Sequence, residues 1–128
     1  MLNKIEIFNM AQAMAQHAAT RQTAVAQNVA NADTPGYRAR DVASFAETYQ
    51  TQTSQGLRAT RSRHFLPGED SFSAQTRISA TPGTESPNGN TVSLEQEMLN
   101  ATDVKRQHDM ALTVYSSSLN ILRTTIGR

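Results

Sequence analysis

The sequence has no cysteine and no tryptophan, and aromatic residues make up only 5% of its 128 positions. The first absence excludes disulfides, thiolate nucleophiles and Cys-ligated metals. It also lets the chain cross an oxidising compartment without forming wrong pairings. The shortage of aromatics, with hydrophobic residues at 38%, leaves thin material for a conventional globular core. Charge is scarce as well. Charged residues are 18% of the chain and the formal net charge is +1, which gives no bulk attraction to nucleic acid or to an anionic membrane. No apolar run exceeds three residues, as in Ala24-Val25-Ala26, so a membrane-spanning helix of about 20 apolar residues is excluded. The first residues, interrupted by Lys4 and Glu6, lack the apolar core of a secretory signal. The ordinary rules then give a cytoplasmic chain, or one that leaves the cell without a cleaved signal.

Constellations for chemistry are missing too. His17, His64 and His108 share no ligand spacing, and there is no HExxH pattern, glycine-rich phosphate loop, GxSxG elbow or paired-carboxylate site. We expect no enzymatic activity, no metal and no cofactor. His17 reads as solvent-facing and His108 as a polar position in a helix seam. Arg58, Arg61, Arg63 and His64 form a basic cluster with only Phe65 beside it. It reads as a subunit contact or solvated loop rather than a nucleic-acid site.

What is present is helix-forming sequence at both ends. Residues 1–31 contain neither Gly nor Pro and are rich in Ala, Gln and Met, which are good helix formers. Ile7, Ala11, Met14, Ala18, Val25 and Val29 lie within a narrow arc at helical spacing. Small side chains dominate that stripe, so another helix can approach closely. Residues 93–128 carry a second helix. Ser93 with Gln96 makes a capping box, with Glu95 and Glu97 at the positive end of the dipole and Arg123 and Arg128 at the other. Leu94, Met98, Ala101, Lys105, His108, Leu112, Tyr115, Leu119, Leu122 and Ile126 alternate steps of four and three, forming a heptad seam that is polar in its middle. Val104, Ala111, Val114 and Ile121 form a flanking stripe. Pairing the terminal helices buries one seam and leaves the flanking stripe bare, so such a helix calls for more than one neighbour. Periodicity alone is equally compatible with packing inside one chain and packing between chains.

Residues 38–92 read as an irregular connection. Three of the four prolines (Pro67, Pro82, Pro87) and four of the six glycines fall in 52–92, with room for a short hairpin. A short helix near 44–52, capped by Ser44 with Glu47 three residues on, would carry Phe45 and Tyr49. Asn31 suits the left-handed conformation that ends helices, and Pro35-Gly36 suits the centre of a type II turn. The predicted fold is mainly α: long N- and C-terminal helices paired as an antiparallel coiled-coil-like hairpin, with a short helix and an extended irregular middle.

One motif points to a family. Asn28-Val29-Ala30-Asn31-Ala32-Asp33-Thr34-Pro35-Gly36-Tyr37 closely resembles the signature of flagellar rod and hook proteins, Asn-x-Ala-Asn-x-x-Thr-Pro-Gly-Tyr. Asn28, Ala30, Asn31, Thr34, Pro35, Gly36 and Tyr37 match every defined position. Arg38-Ala39-Arg40-Asp41-Val42 and Gly89-Asn90-Thr91-Val92-Ser93-Leu94-Glu95-Gln96-Glu97-Met98 look like the proximal-rod branch of that family. In physical terms, the Asn28 and Asn31 amides can satisfy backbone groups at the helix end. Tyr37 can pack its ring near the helix while its hydroxyl finds a polar partner.

The resemblance implies a structural subunit that polymerises into the hollow periplasmic drive shaft of the basal body and transmits torque. It implies terminal regions that order on assembly, and export by the flagellar type III apparatus without a cleaved signal. Its implied partners are further copies, other rod proteins, the membrane-ring protein and its rod junction protein. The assembly seam would comprise Ile7, Ala11, Met14, Ala18 and Val25 with Leu94, Met98, Leu112, Tyr115, Leu119, Leu122 and Ile126. The competing reading is a soluble helical adaptor or chaperone-like binding module.

Overall fold

A computed structural model describes residues 2–54, 72, 74–78 and 85–127. The basic cluster at Arg58, Arg61, Arg63 and His64, the pair Phe65-Leu66, Pro67, Pro82 and Arg128 lie outside the described residues. The chain runs α1 (Leu2–Ala30), β1 (Arg40–Val42), α2 (Phe45–Ser54), β2 (Thr76–Ile78) and α3 (Leu94–Ile126). It is mainly helical, and the two long helices pack on each other.

α2 and α3 each start where the sequence supplies a cap. Ser44 Oγ accepts the Glu47 amide at 3.3 Å at the head of α2. Ser93, extended at φ −108°, accepts the Gln96 amide at the head of α3. Caps of this kind contribute about 1 kcal/mol each. The Gln96 side chain does not complete the predicted capping box; it donates instead to Asn100, one turn on, at 3.3 Å. Glu95 accepts from the Ser93 hydroxyl at 3.0 Å.

The α1–α3 interface is made of small side chains. Ala11, Ala18 and Val25 of α1 are buried, as are Glu97, Val104 and Ala111 of α3. Toward one end of α1, the Phe8 and Tyr115 rings lie 4.5 Å apart. At the other, the Asn28 side chain neighbours the Glu97 carboxylate. The side of α3 that faces α1 therefore draws on both stripes: Tyr115 of the predicted seam meets Phe8, and Leu119 and Leu122 are half-buried. Val104 and Ala111, from the flanking stripe, are buried, while Leu94, Met98, Leu112 and Ile126 are exposed. The reason is steric. Interaxial distance follows the side chains at the contact, and an alanine-lined α1 admits a partner most closely through its smallest residues.

The middle differs from expectation in two ways. β2 pairs antiparallel not with a hairpin neighbour but with β1, which precedes α2, in the register Arg40↔Ile78, Asp41↔Arg77 and Val42↔Thr76. His17, read as solvent-facing, is 1% exposed. Its Nε2–H donates to the Ala43 carbonyl at 2.7 Å, and its ring meets Phe45 and Phe72 edge-on. This aromatic cluster lays α2 and residue 72 against α1. His17 Nδ1 has no hydrogen-bond partner among the described residues. Among the described residues, no helix is long and apolar enough to cross a membrane.

Candidate functional site: the signature turn and its strap

Past Ala30 the chain must leave the helix without orphaning its last carbonyls. Asn31 does not take the predicted left-handed conformation; among the described residues only Gly36 and Gly89 have positive φ. The helix winds down through tight turns instead, with the Ala32 amide on the Val29 carbonyl at 3.3 Å and the Thr34 amide on the Asn31 carbonyl at 3.0 Å. The Asn31 side chain donates back to the Gln27 carbonyl at 2.8 Å and accepts from the Thr34 hydroxyl at 3.2 Å. Thr34-Pro35-Gly36-Tyr37 then closes as a turn, Tyr37 amide to Thr34 carbonyl, with Gly36 at φ +72°. That angle suits the third residue of the predicted type II turn.

Asn28 holds the returning chain. It is 1% exposed. Its Oδ1 accepts from the Arg40 amide at 2.9 Å and from the Tyr37 hydroxyl at 3.2 Å, and its Nδ2 donates to the Arg40 carbonyl at 2.7 Å. One side chain thus satisfies both backbone groups of Arg40, as a neighbouring strand would. Arg21 adds a half-buried ion pair to Asp41 at 3.0 Å. Of the other signature residues, Asn31 and Tyr37 are half-buried, while Ala30, Thr34, Pro35 and Gly36 are exposed.

The second family-like segment docks on this turn. The Gly36 amide donates to the Asn88 carbonyl at 2.9 Å and the Thr91 amide to the Tyr37 carbonyl at 3.1 Å. The Ala39 amide donates to Thr91 Oγ1 at 2.8 Å. Asn90, 1% exposed, aims its amide nitrogen at three carbonyls of the turn: Asn31 and Ala32 at 2.9 Å and Thr34 at 2.8 Å. Its Oδ1 accepts the Val92 amide at 2.8 Å. The two motifs, far apart in sequence, form one polar site. Thr91 and Asn90 were visible only as part of a resemblance. A lone Asn after Pro-Asn-Gly reads as loop, and nothing local marks it as buried.

Gly36 and Gly89 sit against each other. A Cβ built on Gly89 would meet Gly36 Cα at 3.5 Å, an ordinary contact, whereas one on Gly36 meets nothing within 4 Å. Steric crowding is therefore minor at both, and the positive φ (+72° and +81°) sets the cost. Gly36→Ala and Gly89→Ala are each expected to lose roughly 1–2 kcal/mol, measured by thermal unfolding in circular dichroism. A much larger loss at Gly89 alone would show that crowding dominates.

Glu97 closes the site from α3. It is buried, and its Oε2 has no hydrogen-bond partner among the described residues. Burial pushes its carboxyl above the ordinary range, and Asp41 adds to this; Asn28, Asn100 and Arg21 oppose it. With the folded value raised, the native chain takes up this proton more readily than the unfolded chain. The contribution is complete below the unfolded value near 4.5 and is lost as pH rises through the folded value. Glu97→Gln is expected to raise the neutral-pH melting temperature by a few degrees, on the order of 1 kcal/mol, and to flatten its pH dependence above 4.5. A lower melting temperature in the Gln variant would contradict this.

The family model described as flagella basal body rod protein matches residues 9–38, from within α1 through the signature turn. The flagellar basal body rod protein FlgB of Agrobacterium fabrum is 30% identical, across 99% of this chain and 97% of its own length. FlgB of Salmonella typhimurium is 36% identical across 79% of this chain and 78% of its own, and that of Proteus mirabilis 30% across 98% of each. The chain belongs to the FlgB family of flagellar basal body rod proteins. This is a family of structural proteins rather than enzymes, and its members are structural subunits of the basal body rod. Within that family frame, the family model ends at the signature turn, and the strap at 88–91 is the turn's partner from the other half of the chain.

Of the predicted seam, Ala11, Ala18 and Val25 face inward; Met14, Tyr115, Leu119 and Leu122 are half-buried; Ile7, Leu94, Met98, Leu112 and Ile126 are exposed.

Proposed function

We propose that the chain polymerises through its two long helices, paired as an antiparallel coiled-coil-like hairpin, into the hollow proximal rod that carries torque across the periplasm. The observation that carries this reading is the apolar face left open on the pair. Leu94, Met98, Leu112 and Ile126 are 48–75% exposed on one side of α3. A row of that length along a helix is the mark of a surface meant to be covered. A groove of about 280 Å³ between Ala11, Ala15, Ala111 and Tyr115 has room for a neighbour's side chain beside it. The Phe8–Tyr115 and Asn28–Glu97 contacts support the antiparallel sense.

The thin alanine interface fits a chain that completes its ordering on assembly. Its partners on this reading are further copies, other rod proteins, the membrane-ring protein and its rod junction protein, and the flagellar type III apparatus delivers it. An epitope-tagged chain should co-purify with basal bodies, and a strain lacking the gene should build basal bodies that stop at the membrane ring. Complete rods in that strain would refute the proposal.

A further inference from the structure

The buried faces of α1 and α3 share an ambiguity. On α1 the buried positions Ala11, Ala18 and Val25 repeat every seven residues, as do Glu97, Val104 and Ala111 on α3. A shift of α3 by one heptad gives up the Phe8–Tyr115 contact but sets Ala18 against Ala111 and Val25 against Val104, small apolar residues again. Such a shift changes little buried area, and hydrophobic burial, being non-directional, discriminates weakly between the two registers. A slip that replaces Ala111 by the half-buried Ser118 opposite Ala11 also carries Glu97 past the end of α1, relieving its burial. Apolar packing does not forbid that slip.

We infer that Asn90, with Thr91 beside it, is the register key of the helix pair. Asn90 stands just before the Ser93 cap of α3 and binds the carbonyls of Asn31, Ala32 and Thr34 just after α1. The Thr91 amide and hydroxyl add bonds to the Tyr37 carbonyl and the Ala39 amide. These bonds tie the lead-in to α3 to the turn that follows α1. A one-heptad slip moves α3 about 10 Å along its axis, so every one of them breaks. Buried polar groups select register in this way when an apolar seam repeats. The signature turn is thereby completed from the other half of the chain, and the placement of the exposed α3 face depends on it.

Because the chain has no cysteine, introduced pairs report register cleanly. Ala11→Cys with Ala111→Cys reads the native register, since both residues line one groove; Ala11→Cys with Ser118→Cys reads the slipped one. Each pair is placed in the full chain, in the Asn90→Ala chain, and in the Asn90→Ala/Thr91→Val chain, and oxidative crosslinking yields are compared. The native pair should exceed the slipped pair at least tenfold in the parent, and the ratio should fall to within about threefold of unity in the variants while helical circular dichroism persists. Val104→Ala serves as a control that weakens the interface without touching the strap. The inference is overturned by a parent ratio near unity, by variants that keep the parent ratio, by an equal fall in the Val104→Ala chain, or by loss of both crosslinks together with the helical signal.

Discussion

Asn28→Ala is expected to destabilise the chain by about 3 kcal/mol, more than any other single truncation at the signature. The substitution removes a partner from the Arg40 amide and carbonyl and from the Tyr37 hydroxyl, and a polar neighbour from the buried Glu97 carboxylate. Each buried polar group left without a partner costs roughly 1–3 kcal/mol. The interface it anchors is built largely of alanine and valine, so there is little hydrophobic reserve. Against a typical total of about 5–15 kcal/mol, such a loss is severe. Asn28→Asp should recover part of it, because a carboxylate still accepts from the Arg40 amide and the Tyr37 hydroxyl; it cannot donate to the Arg40 carbonyl and places a charge beside Glu97. Thermal unfolding of the two variants decides this. An Asn28→Ala chain that melts within a degree or two of the parent would show that the Arg21–Asp41 pair and the pairing with β2 hold β1 without it.

The largest effect in the cell is expected from a change with almost none in the free chain. Met98 is 71% and Ile126 75% exposed, so Met98→Asp and Ile126→Asp should alter the monomer's stability by no more than about 0.5 kcal/mol. In a polymer where that face is covered, each would bury an unpaired carboxylate at a cost of several kcal/mol, repeated in every copy. Strains carrying either variant should make normal amounts of the protein, fail to complete a rod and not swim. Met98→Leu should swim, since shape and polarity are nearly kept. Normal swimming by the Asp variants would mean that this face of α3 stays in solvent. Leu119 and Leu122 are half-buried, so the same substitution there would mix loss of folding with loss of assembly.

The two predicted long helices and the Ser44 and Ser93 caps were legible because each is encoded within a few residues; a polar partner for the Tyr37 hydroxyl was expected, and the structure identifies it as Asn28. The signature was legible as a string, and the expected amide bond to the helix end is made by Asn31, on the Gln27 carbonyl; Asn28 instead bonds both backbone groups of Arg40 on the returning chain. Asn31 was misread. Asparagine tolerates positive φ, but here a side-chain bond to Gln27 and tight turns end the helix without it. Helix periodicity found both apolar stripes of α3 yet could not say how they share the contact with α1. Side-chain size suggested the Leu and Met stripe, and the alanines of α1 bury Val104 and Ala111 of the other most deeply. His17 looked solvent-facing because the rings that bury it, Phe45 and Phe72, arrive from remote parts of the chain. The β1–β2 ladder escaped notice because strands of three polar-rich residues carry no alternation to read. Asn90 was hidden for a similar reason: its partners lie 56 to 59 residues away.

A density map of the assembled basal body, at a resolution that separates helices, tests the rod proposal most directly. The expected result is this chain in the proximal rod, with the α3 face bearing Leu94, Met98, Leu112 and Ile126 packed against helices of neighbouring subunits and the signature turn still clasped by Asn90. A map that leaves that face of α3 in solvent, or finds no copy of the chain in the rod, would contradict it.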